Sequence, residues 1–327
     1  MHIDPSSMHP ELQKAGTLIR LIVPSFSERK FRLATLALSA MKGKCRRPLK
    51  YEQVFIPRGD KSLLRLCVYS PLERREHVPG LLWLHGGGYG LGTPEQSEAM
   101  IERFIRISGC VVVSPDYRLS IDAPYPAALE DSYAALLWLK NHGSEYGMRD
   151  DQLMVGGESS GGGLAAAVTL YARDTLEAAI AFQMPLYPML DDRMNTPSAT
   201  NNDAPVWNSK SNDIAWRLYL GDLFGKSDVP AYAAPARCSD FTGLPPACSF
   251  VGSIEPFCDE TVRYMENLRV AGIPAQYKVF DGCFHGFDIV AAKSKVAIEA
   301  MDLLETSFRY ATEHYFAAQP AGESRGY

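Results

Sequence analysis

Apolar positions recur along this chain in two different periods, and the change from one to the other divides it. Residues 14–44 carry apolar side chains at helical spacing, interrupted at Pro24-Ser25. That spacing predicts two amphipathic helices, the second holding Phe31, Leu33, Leu36, Leu38 and Met41 with Arg29, Lys30 and Arg32 among them. From Leu49 alternation takes over, and residues 51–57 and 62–69 read as two strands that open a sheet in antiparallel fashion. Short, nearly continuous apolar runs follow at 80–84, 110–114, 152–155, 178–184, 246–251 and 275–280. Helical stretches at 132–142, 164–168 and 294–316 lie between or after them. Strands alternating with helices imply right-handed crossovers, so the fold class is α/β with a mostly parallel central sheet flanked by helices. The rhythm breaks over 189–230, where a polar stretch, 191–203, precedes Trp207, Trp216, Tyr219 and Phe224. The expected organisation is therefore N-terminal helices over 1–48, core over 49–188, an insertion over 189–230, core again over 231–316, and a tail over 317–327. The tail is expected to be disordered from Ala317.

Composition narrows the picture. A chain of 327 residues, 46% hydrophobic, buries about three quarters of its unfolded surface and needs no disulfide or metal staple. The net charge of -5 argues against partners such as nucleic acid or an anionic membrane surface, which call for basic patches, and leaves small neutral molecules open. Seven scattered cysteines without a C-x-x-C suit a reducing compartment, so a cytoplasmic location is expected. Residues 1–14 are polar and the apolar run 17–23 is interrupted by Arg20, which fits neither a signal peptide nor a spanning helix. A homodimer is left open.

Two motifs carry chemistry. Gly157, Ser159 and Gly161 form a G-x-S-x-G between the apolar run 152–155 and a small-residue helical segment. A serine on such a strand-turn-helix sits in a strained conformation that only small neighbours permit, with its hydroxyl raised near a helix N-terminus. Upstream, the run 80–84 discharges into His85-Gly86-Gly87-Gly88-Tyr89-Gly90, and a His followed by three glycines is rare by chance. Three glycines let backbone N–H groups approach a ligand with no Cβ in the way, as binding an oxyanion demands. His85 itself reads as a structural hydrogen-bonding residue, and Asp116 with Arg118 as a pair supporting the glycine loop.

These segments, HGGGYG, DYRL followed by PYPAALED, and GESSGGG, resemble in order and spacing the hormone-sensitive-lipase-like (bacterial family IV type) esterases of the α/β-hydrolase superfamily. The resemblance covers residues 50–315. It departs from the family at Ser160, usually Ala, and at Glu158, usually Asp. The resemblance implies an α/β-hydrolase core, with the N-terminal helices and the 189–230 insertion joined as a helical cap. It also implies a triad in the chain order Ser, acid, His. Only His285 and His314 follow Ser159, and His314 lies in a helical stretch, so His285 on a loop is the expected base. The family's acid directly precedes a proline, usually as Asp in D-P-L-x-D-E; here that position is Glu255, before Pro256, with Asp259 as the rival. A carboxylate that holds an imidazole tautomer can be glutamate. The expected set is thus Ser159 as nucleophile, His285 as base and Glu255 as acid, with N–H groups of Gly87, Gly88 and Ser160 as oxyanion hole. Neither a cofactor nor a metal is expected. The activity implied is hydrolysis of short- to medium-chain carboxylic esters. The alternatives are an amidase or peptidase using the same residues, or a non-catalytic ligand-binding protein on this fold.

Overall fold

The computed structural model describes residues 2–320. Two helices come first, α1 (Gln13–Ile22) and α2 (Glu28–Ser39). Ser27 starts the second as its N-cap, its Oγ accepting from the N–H of Lys30. The sheet then builds from β1 (Lys50–Pro57), β2 (Leu63–Ser70), β3 (Val78–Leu84), β4 (Val111–Pro115), β5 (Met148–Glu158), β6 (Phe182–Leu186), β7 (Ala247–Gly252) and β8 (Ala275–Phe280). Helices intervene as α3 (Glu98–Ser108), α4 (Ala127–His142), α5 (Ser160–Thr175), α6 (Ser209–Leu220), α7 (Cys258–Val270), α8 (Phe287–Val290) and α9 (Lys295–His314). The strand order is β1-β2-β4-β3-β5-β6-β7-β8. β2 pairs antiparallel with both β1 and β4, and the pairs from β4 to β8 are parallel.

Burial explains the two periods. β1 lies at the sheet edge with an alternating, largely exposed pattern, whereas β3, β4, β6 and β7 are buried throughout. Alternate side chains of β3 go to opposite faces: Leu82 and Leu84 join the layer containing Leu136 of α4 and Val168 of α5, while Leu81 and Trp83 meet Phe104 of α3 and Phe308 of α9. The ring of Phe104 packs between Trp83 and Phe308, with centroids 4.9 and 4.7 Å away. Both faces are therefore covered, and the strands' C-terminal ends are left to carry loops.

Two expectations need correction. The helix expected over 132–142 begins at Ala127, because Pro126 occupies its N-cap position, where a missing N–H costs nothing, and the alanines beyond it extend the helix. The tail is ordered over 317–320: Ala317 N–H donates to Asp151 O at 2.8 Å, and the Gln319 amide exchanges two hydrogen bonds with the Ala179 backbone. Residues 321–327 of the expected tail lie outside the described residues. No helix among the described residues is long and apolar enough to cross a membrane.

Candidate active site

Four loops at the C-terminal ends of β3, β5, β7 and β8 converge. The turn from β5 into α5 holds Ser159 at φ 58° and ψ -120°, a region that a residue with a Cβ rarely enters. It is held there from both sides: Ser159 N–H donates to Leu186 O, and Ser159 O accepts from Gly163 and Met189 N–H, all at 3.0 Å. The strain is tolerable because the neighbours that press on the turn, Gly86, Gly157 and Gly161, are glycines. A Cβ on Gly161 would lie 2.1 Å from Leu84 O, so β3 can approach the elbow only if that residue is glycine.

Ser159 Oγ donates to His285 Nε2 at 2.9 Å, and His285 Nδ1 donates to Glu255 Oε2. The second oxygen of Glu255 accepts from Gly252 N–H at 2.9 Å, which anchors the carboxylate to the end of β7. Glu255 is fully buried, and Ser159 and His285 keep only 6% and 5% of their surface, so the chain of contacts is largely shielded from water. Asp259 is turned elsewhere, accepting from Ser198 N–H at 2.8 Å. His314 is exposed and stacks on Tyr310.

The glycine loop lies beside the elbow. Gly87 has φ 132°, where a Cβ would sit 2.0 Å from Leu91 O, so the tight turn requires glycine. The N–H groups of Gly87 and Gly88 donate to no acceptor among the described residues. Ser160 opens α5, so its N–H has no partner within the helix and sits at the helix's positive end. The Ser160 hydroxyl is fully buried near Tyr117 without a hydrogen-bond partner.

Behind this loop His85 is structural, as expected. Its Nδ1 donates to Gly86 O at 3.0 Å, and its ring stacks on Tyr117 with centroids 4.2 Å apart. Burial pushes its pKa down to about 4, which keeps it neutral. The expected Asp116–Arg118 pair is not formed. Each residue, on the turn leaving β4, meets a partner on the element it faces: Asp116 takes Arg65 of β2 and Lys42, and Arg118 takes Asp131 and Glu130 of α4. Glu158 is buried beside Asp288, and burial raises their pKa values to about 7 and about 6. Trp83 Nε1 and Ser97 Oγ lie near Glu158 but do not hydrogen-bond it.

Sequence reasoning placed Trp207 in the expected cap but missed Tyr187 and Phe257 as the rest of an aromatic wall. Tyr187, Phe257 and Trp207 surround the His285 ring with centroids 5.0, 5.1 and 6.2 Å away, and Trp207 also meets Phe26 and Phe31. Phe257 had a local signal, two residues after Glu255, whereas Tyr187 was visible only as the end of an apolar run. Among the described residues no group of three His, Cys, Asp or Glu is disposed to hold a metal ion.

A family model described as alpha/beta hydrolase fold matches residues 81–289. Esterase LipI of Mycobacterium tuberculosis is 35% identical over 224 residues, 68% of this chain and 70% of its own length. Carboxylesterase NlhH of the same organism is 33% identical over 238 residues, covering 71% and 74%. Among solved structures, Bacterial Heroin Esterase superposes with a TM-score of 0.85 at 32% identity, over 94% of this chain and 98% of that one. A thermostable esterase from Pseudomonas putida ECU1011 superposes with a TM-score of 0.79 at 25% identity, over 95% and 97%. With a buried serine raised on a strained elbow, a glycine loop beside it, and matches that span the core, the chain belongs to the hormone-sensitive-lipase-like esterases of the α/β-hydrolase superfamily.

Proposed function

We propose that this esterase hydrolyses short- to medium-chain carboxylic esters through Ser159, His285 and Glu255, with Gly87, Gly88 and Ser160 N–H groups as the oxyanion hole. The observation that carries the reading is the contact chain from Ser159 Oγ through His285 to Glu255. Ser159 Oγ attacks the ester carbonyl while its proton passes to His285 Nε2. Glu255 stabilises the imidazolium and holds its tautomer. The oxyanion accepts from the three N–H groups, and as it collapses His285 returns the proton to the leaving alkoxide oxygen. Water then attacks the acyl-enzyme with His285 as base, releasing the acid and restoring Ser159.

Acyl length follows from enclosure. Residues 1–48 and 189–230 act together as a cap in this reading. Asn208 donates to Pro24 O at 2.7 Å, Phe26 N–H donates to Ser211 Oγ at 2.9 Å, and the rings of Phe26, Phe31 and Trp207 cluster above His285. Each added methylene contributes up to about 0.8 kcal/mol until such a pocket is full, after which length obstructs closure. The test is a series of p-nitrophenyl esters of increasing acyl length. kcat/KM should peak at a short or medium chain, with no jump when substrate passes from monomer to emulsion. A long-chain optimum with interfacial activation would overturn the bounded pocket, and no turnover of any ester would favour a binding protein.

A further inference from the structure

A peptide unit is planar with its C=O and N–H pointing in opposite directions, so whatever grips the oxygen from behind aims the N–H in front. The proposed oxyanion hole uses two such units, and they are gripped differently. In the unit that supplies Gly88 N–H, the oxygen of Gly87 accepts from the backbone N–H groups of Gly90 and Leu91, each at 3.1 Å. That grip is made by the turn itself and needs no particular side chain. In the unit that supplies Gly87 N–H, the oxygen of Gly86 accepts from two side chains, His85 Nδ1 and Gln96 Nε2, each at 3.0 Å. Buried His85 is braced by Tyr117, whose hydroxyl donates to His85 O at 2.8 Å. Gln96 is held by a second bond, its Oε1 accepting from Thr93 N–H at 3.2 Å, so the amide cannot turn over without losing both contacts.

We infer that Gln96 is a positioning residue for ester hydrolysis, fixing the Gly86–Gly87 peptide so that Gly87 N–H points at the oxyanion. Gln96 lies ten residues beyond Gly86, outside the glycine motif, and touches no reacting atom. It is only half-buried, so its exchange for another residue leaves a small void rather than a collapsed core. Hydrogen bonds weaken steeply as their angle departs from linearity. Releasing one of two grips on Gly86 O should therefore weaken the transition state, in which the oxyanion charge develops, much more than the neutral ground-state ester.

The inference rests on the oxyanion hole proposed above, and a single probe separates failure of the one from failure of the other. Ser159 Oγ adds to the carbonyl of a 13C-labelled trifluoromethyl ketone, its proton passing to His285, and the labelled carbon reports whether the hemiketal oxygen is ionised. In the unaltered enzyme that oxygen should ionise well below the pH at which the free hydrate does. Gln96→Met, of similar length without hydrogen bonding, should raise the hemiketal pKa by about one unit and lower kcat about tenfold, with KM within twofold. Gln96→Glu keeps an acceptor for Thr93 N–H but has no donor for Gly86 O, and should show the same direction of change. A role confined to bracing the Thr93 turn predicts that Gln96→Glu behaves as the unaltered enzyme, and that result overturns the inference. So do unchanged hemiketal pKa and kcat in Gln96→Met, which would leave the hole itself standing. An unaltered enzyme whose hemiketal titrates like the free hydrate removes the hole, and the role of Gln96 with it.

Discussion

The serine elbow and the aromatic roof meet at His285 and are built by opposite means. Ser159 is held by backbone hydrogen bonds with Leu186, Met189 and Gly163, made by main-chain groups rather than by side chains. The roof is held by side chains from distant segments: Asn208 to the chain near Pro24, Ser211 to Phe26, and rings of Phe26, Phe31 and Trp207 against one another. A backbone-held serine has one working geometry, so damage there is expected in the chemical step. A side-chain roof can repack, so damage there is expected in which substrates fit.

The most severe break of that contrast is Ser159→Ala, which should lower kcat by roughly 10⁶ and abolish labelling by an organophosphate while circular dichroism and Tm stay near those of the parent. Substantial turnover in the folded variant would move the nucleophile elsewhere. Glu255→Ala should cost on the order of 10⁴ in kcat. Asp259→Ala should cost far less, because Asp259 supports Ser198 in the roof rather than His285; the reverse ranking in steady-state kinetics would exchange their roles.

Trp207→Ala sharpens the other half of the comparison. A Cβ on Gly88 would lie 2.3 Å from the Trp207 indole, so this ring rests directly over the glycine loop. Its removal should shift the acyl-length optimum of kcat/KM toward longer chains and lower Tm, at about 3–5 kcal/mol for a buried tryptophan. An unchanged ranking of esters with lowered Tm would make the ring packing alone.

The smallest expected effect concerns pH. Burial holds the Glu158 pKa near 7, above its unfolded value of 4.5. The folded state thus binds a proton that the unfolded state has released, and Glu158 destabilises increasingly as pH rises from about 4.5 to about 7. Glu158→Gln should raise Tm by a few degrees at pH 8 relative to the parent, and the gain should shrink toward pH 5. A gain independent of pH in calorimetry would show that Glu158 does not titrate in this range.

Legibility followed the locality of the signal. The strand over 275–280 was legible to the residue, because its length and bounds were written in neighbouring positions. α3 and α7 were not read at all. In α3 the buried Met100, Ile101, Phe104 and Ile105 recur at helical spacing, yet Glu95 and Glu98 beside them are buried too and blur the contrast of faces. Asp116 and Arg118 look like partners two positions apart, but β2 and α4 supply nearer opposite charges. Ser159 was indicated by a motif, Glu255 by its place before Pro256 and His285 by chain order and its loop position, while Gln96 carried no mark, since an amide ten residues from a glycine has no local signal.

By itself the sequence determined what depends on short stretches of chain: which runs are two-face-buried strands, where glycine permits close approach or positive φ, and which turn raises a serine. These follow from sterics and from burial period within a few residues. Only the tertiary structure decided which carboxylate meets His285, which partners Asp116 and Arg118 take, how Gly86 O is gripped, and which rings roof the site. Those outcomes depend on contacts between distant segments, 126 residues apart for Ser159 and His285 and 185 for Phe26 and Ser211, and such contacts arise only when the fold brings the segments together.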